Sequence, residues 1–174
     1  MRKNSSYKIL VILTLLATSC ATNKQKTITR NDCMLFPYGT YKQNVSVKFD
    51  KKNMKFKGVL QKSRTSSIIY GLSAFDTTIF KINDDKSGKV KVTVYNEKLA
   101  GKEDKIEDIY KTLSIVLDIE QCINTEKHVV IDKKKGQVDI RVEFEKFDNN
   151  KIPTTTKLFN KDYEVIIRTV DYEI

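Results

Sequence analysis

The sequence predicts a single, mainly β domain: an antiparallel β structure with one helix packed on it. Two observations carry that class. Apolar and polar residues alternate with period two in several stretches, as where Val45, Val47 and Phe49 interleave with Ser46, Lys48 and Asp50. Such alternation marks strands with one buried face. One stretch breaks to helical spacing, with Ile106, Ile109, Tyr110, Leu113, Val116 and Leu117 on one stripe. The chain has no internal repeat and no interdomain linker.

Residues 1–19 are set apart from the fold. Arg2, Lys3 and Lys8 precede an apolar run at positions 9–17. A run of that length is too short to span a bilayer, which takes roughly 20 residues. With its basic flank it reads as a secretory leader. Ala17, Thr18, Ser19 and Cys20 resemble a bacterial lipobox. The resemblance implies cleavage before Cys20, a diacylglycerol on its sulfur and an acylated new amino terminus. An ordinary signal peptide or an uncleaved anchor is the alternative. Residues 20–32 then form the lipidated cysteine and a polar tether, and 33–174 form the domain, whose length suits one sufficient core.

Cys33, Met34, Leu35 and Phe36 make the first apolar cluster, where the chain is expected to dock. Val45 to Phe49, then Met54, Phe56 and Leu60 across Lys51, Lys52 and Asn53, predict a hairpin with one face buried. Positions 67–70 and 78–82 are two further β-rich runs, and 83–88 is a turn by composition. Val90, Val92 and Val94 follow as a strand. Asp104 and Glu107 fit a capping box at the helix start. Ile115 and Ile119 point away from the main stripe, so the helix is expected to be covered on two sides near its end. Beyond it lie strands at 129–131, at Val138, Ile140, Val142 and Phe144, and at Tyr163, Val165 and Ile167, the last after Pro153 and a Thr-rich run. The total is about eight to ten strands.

The formal charge is +10, of which the leader carries three positives and no carboxylate, leaving about +7. Lys, Asp and Glu are interleaved through most of the chain, as on a solubilising surface. Nucleic acid is not expected as a partner of an exported, lipid-anchored chain. With Cys20 acylated, Cys33 and Cys122 remain as a pair in an oxidising compartment, to be read as a disulfide or as two buried thiols. Catalysis, cofactors and metals are not expected. The single histidine, His128, sits among Val129, Val130 and Ile131 without a nucleophile or carboxylate in any motif around it. Asp84 and Asp85 follow no calcium-loop pattern and read as turn residues.

The order of elements behind a lipobox resembles the LolA/LolB family of outer-membrane lipoprotein carriers and receptors. Three stretches carry the likeness: 68–83, with Ser73, Ala74, Phe75, Asp76 and Thr77 at its centre; 106–119, placed like a lid helix; and Ile152 and Pro153 followed by 157–159 and 163–174. The resemblance implies an incomplete antiparallel barrel, or half-barrel, with a lid-like helix and an apolar concave face for acyl chains. Ala74 and Asp76 stand where the family loop has Pro and Gly, and Phe75 stands where it has a functional leucine. The family's second helix has no counterpart between Ile119 and Val129. The implied contact with membrane or cargo falls on Phe75, with Leu72 beside it. The implied cavity lining is Val47, Phe49, Phe56, Ile69, Phe80, Val92, Val94, Ile140, Val142, Phe144, Val165 and Ile167, roofed by Ile109, Leu113 and Val116. The implied partners are the membrane, through the lipid anchor, and lipid or lipoprotein acyl chains, for a monomer at the outer membrane facing the periplasm. Ala21 after the cysteine is consistent with delivery there. The alternative is a structural or interaction lipoprotein in which the same residues fill a closed core.

Overall fold

The computed structural model describes residues 35–49, 52–118, 129–135 and 138–174, with 129–135 and 138–139 as backbone alone. All of the described residues belong to one compact unit, Asp32–Ile174. The leader, the tether, Cys20, Cys33, Cys122 and His128 lie outside the described residues.

Among the described residues nine strands form one antiparallel sheet: β1 (Gly39–Phe49), β2 (Lys52–Lys62), β3 (Ser67–Leu72), β4 (Thr78–Asp84), β5 (Val90–Val94), β6 (Val129–Lys135), β7 (Val138–Phe147), β8 (Pro153–Phe159) and β9 (Tyr163–Glu173). Their order is β5-β4-β3-β2-β1-β9-β8-β7-β6. The first strand therefore pairs with the last at the centre, and β5 and β6 are edges of a sheet that does not close. A short 3-10 turn (Glu97–Leu99) leads from β5 into α1 (Glu103–Leu117).

Period-two alternation becomes two faces through the register. Tyr41, Gln43, Val45, Val47 and Phe49 share one face of β1, opposite Leu60, Gly58, Phe56, Met54 and Lys52 of β2. Lys42, Asn44 and Lys48 stand exposed on the other face. A flat sheet of nine strands spaced about 4.8 Å apart would be roughly 38 Å wide, against a helix about 10 Å across. Yet Ile82 on β4, Val142 on β7 and Val116 on α1 belong to one core. The sheet must curl around its inner face for a single helix to serve both halves. Among the described residues this is an open antiparallel sheet with one helix, the half-barrel that the resemblance implies.

The capping box does not form. Gly101, at φ +73, turns the chain into the helix early, so α1 begins at Glu103 with Lys102 as N-cap and no side-chain cap bond. Asp104 is thereby placed inside the first turn, where its charge still favours the positive helix end. Glu107 instead pairs with Lys111 at 2.6 Å, one turn on. The predicted turn at 83–88 also shifts, because Asn83 and Asp84 complete β4.

Candidate functional site

The inner face has two ends. One, here the upper, carries Gly39, Lys62, Ser67 and Asp84; the lower carries Phe49, Lys52 and Tyr163. The upper end is closed. Leu35 and Phe36 are buried there, as the docking cluster predicts, with Phe36 edge-on to Tyr41 at 5.7 Å. Ile152, in the turn before β8, is fully buried.

A polar row crosses this apolar end and holds the helix. Lys62, Ser67 and Asp84 are successive partners across β2, β3 and β4, all inward and buried. Lys62 Nζ donates to Phe36 O at 2.8 Å and to Leu117 O at 2.6 Å, which satisfies a carbonyl in the last turn of α1. The Tyr110 hydroxyl donates to Asp84 Oδ2 at 2.7 Å. Lys86 reaches Asp118 just beyond the helix at 3.0 Å. The carboxylate read as a turn residue is therefore a buried acceptor, while Asp85 stays exposed and accepts from Ser87. Among the described residues no group of three or more His, Cys, Asp or Glu could hold a metal ion.

Burial, then the neighbouring Asp84 carboxylate, push the Tyr110 hydroxyl far above the ordinary tyrosine range. An unfolded tyrosine titrates near pH 10. Stability linked to Tyr110 is thus complete below about pH 10 and is lost as pH rises past it, because only the unfolded chain releases that proton. The slope is about 1.4 kcal/mol per pH unit. Tyr110→Phe should flatten the alkaline decline of unfolding free energy relative to wild type by that slope. Parallel declines in chemical denaturation between pH 10 and 11.5 would contradict this assignment.

The residues implied as cavity lining fall on the inner face or on α1, but at two depths. Val47, Ile69, Phe80, Val116, Ile140, Val142, Phe144, Val165 and Ile167 are buried, none more than 8% exposed. Phe49, Phe56, Val92, Val94, Ile109 and Leu113 remain partly open to solvent. The open set lies on the lower strand ends, the β5 edge and the helix. Phe56 meets Phe80 edge-on at 5.2 Å, and Phe80 lies against Gly71. Met54, inward on β2 at this end, is 41% exposed.

Phe75 sits between β3 and β4 at the lower end, 91% exposed. Its loop is braced. Ser73 Oγ accepts from the amides of Phe75 and Thr77, both at 3.2 Å. Asp76 takes a left-handed backbone, φ 59, and its carboxylate pairs with Lys57 at 2.8 Å. An apolar ring is thus held out in water by an ordered turn. Leu72 belongs to β3 rather than to the loop, half-buried on the outer face opposite Lys57.

The polar row, Lys52 and Lys105 were not legible as site residues in the sequence. The period itself held one signal. Phe56, Leu60 and Lys62 share a parity on β2, so a lysine inward at the strand end is written in the alternation.

Among the described residues no helix is long and apolar enough to cross a membrane. No protein-family model matches the sequence, and no curated protein matches it. Among solved structures the chain is similar to a domain from Vibrio parahaemolyticus described as an outer membrane lipoprotein-sorting protein. The identity is 8% and the TM-score 0.34, over 78% of this chain and 84% of that one. At that TM-score the likeness carries no argument about what this chain does.

Proposed function

We propose that this chain is a lipid-anchored envelope protein, held through Cys20 at the outer membrane and facing the periplasm, whose inner face binds acyl chains of a lipid or lipoprotein. One observation carries the reading: the apolar inner face continues past its buried core to half-open side chains at Phe49, Phe56, Ile109 and Leu113. Apolar surface left in water at the edge of a core gains about 25 cal/mol per Å² when a chain covers it. The reading is of a binding protein: the three ionisable side chains of its buried end, Lys62, Asp84 and Tyr110, are engaged in holding the helix. A fluorescent long-chain acyl probe titrated into the purified protein tests it. Saturable binding that Phe56→Ala weakens is expected, and its absence would leave the closed-core reading. That second reading is favoured by the burial of Leu35, Phe36, Tyr41, Leu60 and Ile152 at the upper end.

Phe75 supplies the contact with membrane or cargo in this reading. Phe75→Glu should unfold within about 0.5 kcal/mol of wild type, since the ring is already in water. Transfer of the bound probe to phosphatidylcholine vesicles should slow several-fold, because a carboxylate resists entering lipid. A large loss of thermal stability with unchanged transfer would place Phe75 in the fold instead.

A further inference from the structure

We propose that the lower opening of the inner face is selective for acyl chains that end in an anionic group, a carboxylate or a phosphate, which Lys52 and Lys105 hold at the rim. The inference rests on the acyl-binding reading and names the class of ligand.

The rim is built from one cross-strand row and one helix residue. Phe49 on β1 is the register partner of Lys52 on β2 and of Tyr163 on β9, so the three share the inward face at its open end. From α1, Lys105 reaches over the same ring, its Nζ 4.2 Å from the Phe49 centroid. Two exposed lysines, one over the ring and one beside it in the sheet, thus stand at one half-buried aromatic side chain where apolar surface meets water. Four lysines elsewhere on the surface are neutralised by a carboxylate: Lys42 by Asp171, Lys57 by Asp76, Lys111 by Glu107 and Lys157 by Glu145. Among the described residues, Lys52 and Lys105 are in no ion pair.

Asp108 and Asp162 lie close enough to Tyr163 to act on its hydroxyl, which is engaged with Thr112. Lys52 stands on the other side of the ring, on β2. A chain lying along Phe49 and Phe56 would bring its head group between Lys105 and Lys52. There an anion gains two charge-assisted contacts, a neutral head gains neither, and a cation is repelled. Lys105 can swing from the ring to the anion, because a solvent-exposed lysine is held only weakly by a phenyl ring.

The test compares ligands with one chain and different heads: palmitate, its lysophosphatidic acid counterpart and the neutral methyl ester, each displacing a fluorescent acyl probe from the full-length protein. Wild type should bind both acids about tenfold more tightly than the ester, as two partly exposed ion pairs permit, and the margin should shrink as salt rises. Lys52→Gln with Lys105→Gln should abolish the margin while leaving ester binding and the melting temperature unchanged. A loss confined to palmitate, or to the lysophospholipid, would still support the rim and would name the head group. Equal binding of ester and acids by wild type, or an equal loss for all three ligands in the variant, overturns the inference and leaves acyl binding standing. Failure of every ligand, the ester included, overturns both.

Discussion

Lys62→Met should lower the unfolding free energy by about 2–3 kcal/mol, close to the largest single-residue loss in the polar row. Two effects compete. A buried ammonium carries a desolvation penalty, and methionine of similar length removes it. Against this, Lys62, whose side chain is 1% exposed, satisfies both Phe36 O and Leu117 O. Each carbonyl left without its donor in a closed site costs about 1–3 kcal/mol. The ammonium also has Asp118 at 4.0 Å and the Tyr38 ring at 5.7 Å, which lessen the penalty of burying it. The orphaned carbonyls therefore outweigh the relief. Melting should fall by about 5–10 °C for a chain of this length. Amide exchange should quicken first at Phe36 and in the last turn of α1, the two elements this lysine joins. A variant as stable as wild type would mean that desolvation dominates.

What the sequence could and could not convey follows from the kind of information alternation holds. Val45, Val47, Phe49 and Val90, Val92, Val94 declare a face, and the stripe from Ile106 to Leu117 declares a helix, because each pattern is local. Position across the sheet is not local. Asp84 sits beside Asp85, Ser87 and Gly88, a composition that reads as turn, and only its pairing with Ser67 turns it inward toward Tyr110. Depth is not local either: Phe49 and Val47 have the same parity, yet Val47 is buried and Phe49 half-open. The difference lies in where the helix stops covering the sheet. The early helix start belongs with these, since it depends on the left-handed Gly101 and not on the carboxylates that follow. The extension of β1 back to Gly39 was hidden by Gln43, a polar residue on the buried parity, 8% exposed, opposite Gly58.

Gly71→Ala should cost about 1–3 kcal/mol although it adds a single methyl group to a strand. Gly71 is inward on β3, opposite Gly58 on one side and Phe80 on the other. A Cβ built there would stand 2.2 Å from Phe80 Cε1 and 2.4 Å from Cζ, far inside contact distance. Phe80 has little room to yield, being 5% exposed and edge-on to Phe56. An alanine in a strand would by itself gain roughly 0.5–1 kcal/mol over glycine, through the smaller entropy of the unfolded chain. Gly71 does not have a left-handed backbone, so that gain is available and the collision must exceed it. The two effects separate in a double-mutant cycle. Phe80→Leu alone should destabilise, through lost packing beside Phe56. Combined with Gly71→Ala it should destabilise by at least 1 kcal/mol less than the sum of the single changes, because the shorter side chain vacates the space the methyl needs. Additive losses in urea unfolding would show that the ring does not depend on the glycine. Coupling of that size would establish that the bare backbone at Gly71 is what seats Phe80, and with it Phe56, at the border between the buried core and the open end of the inner face.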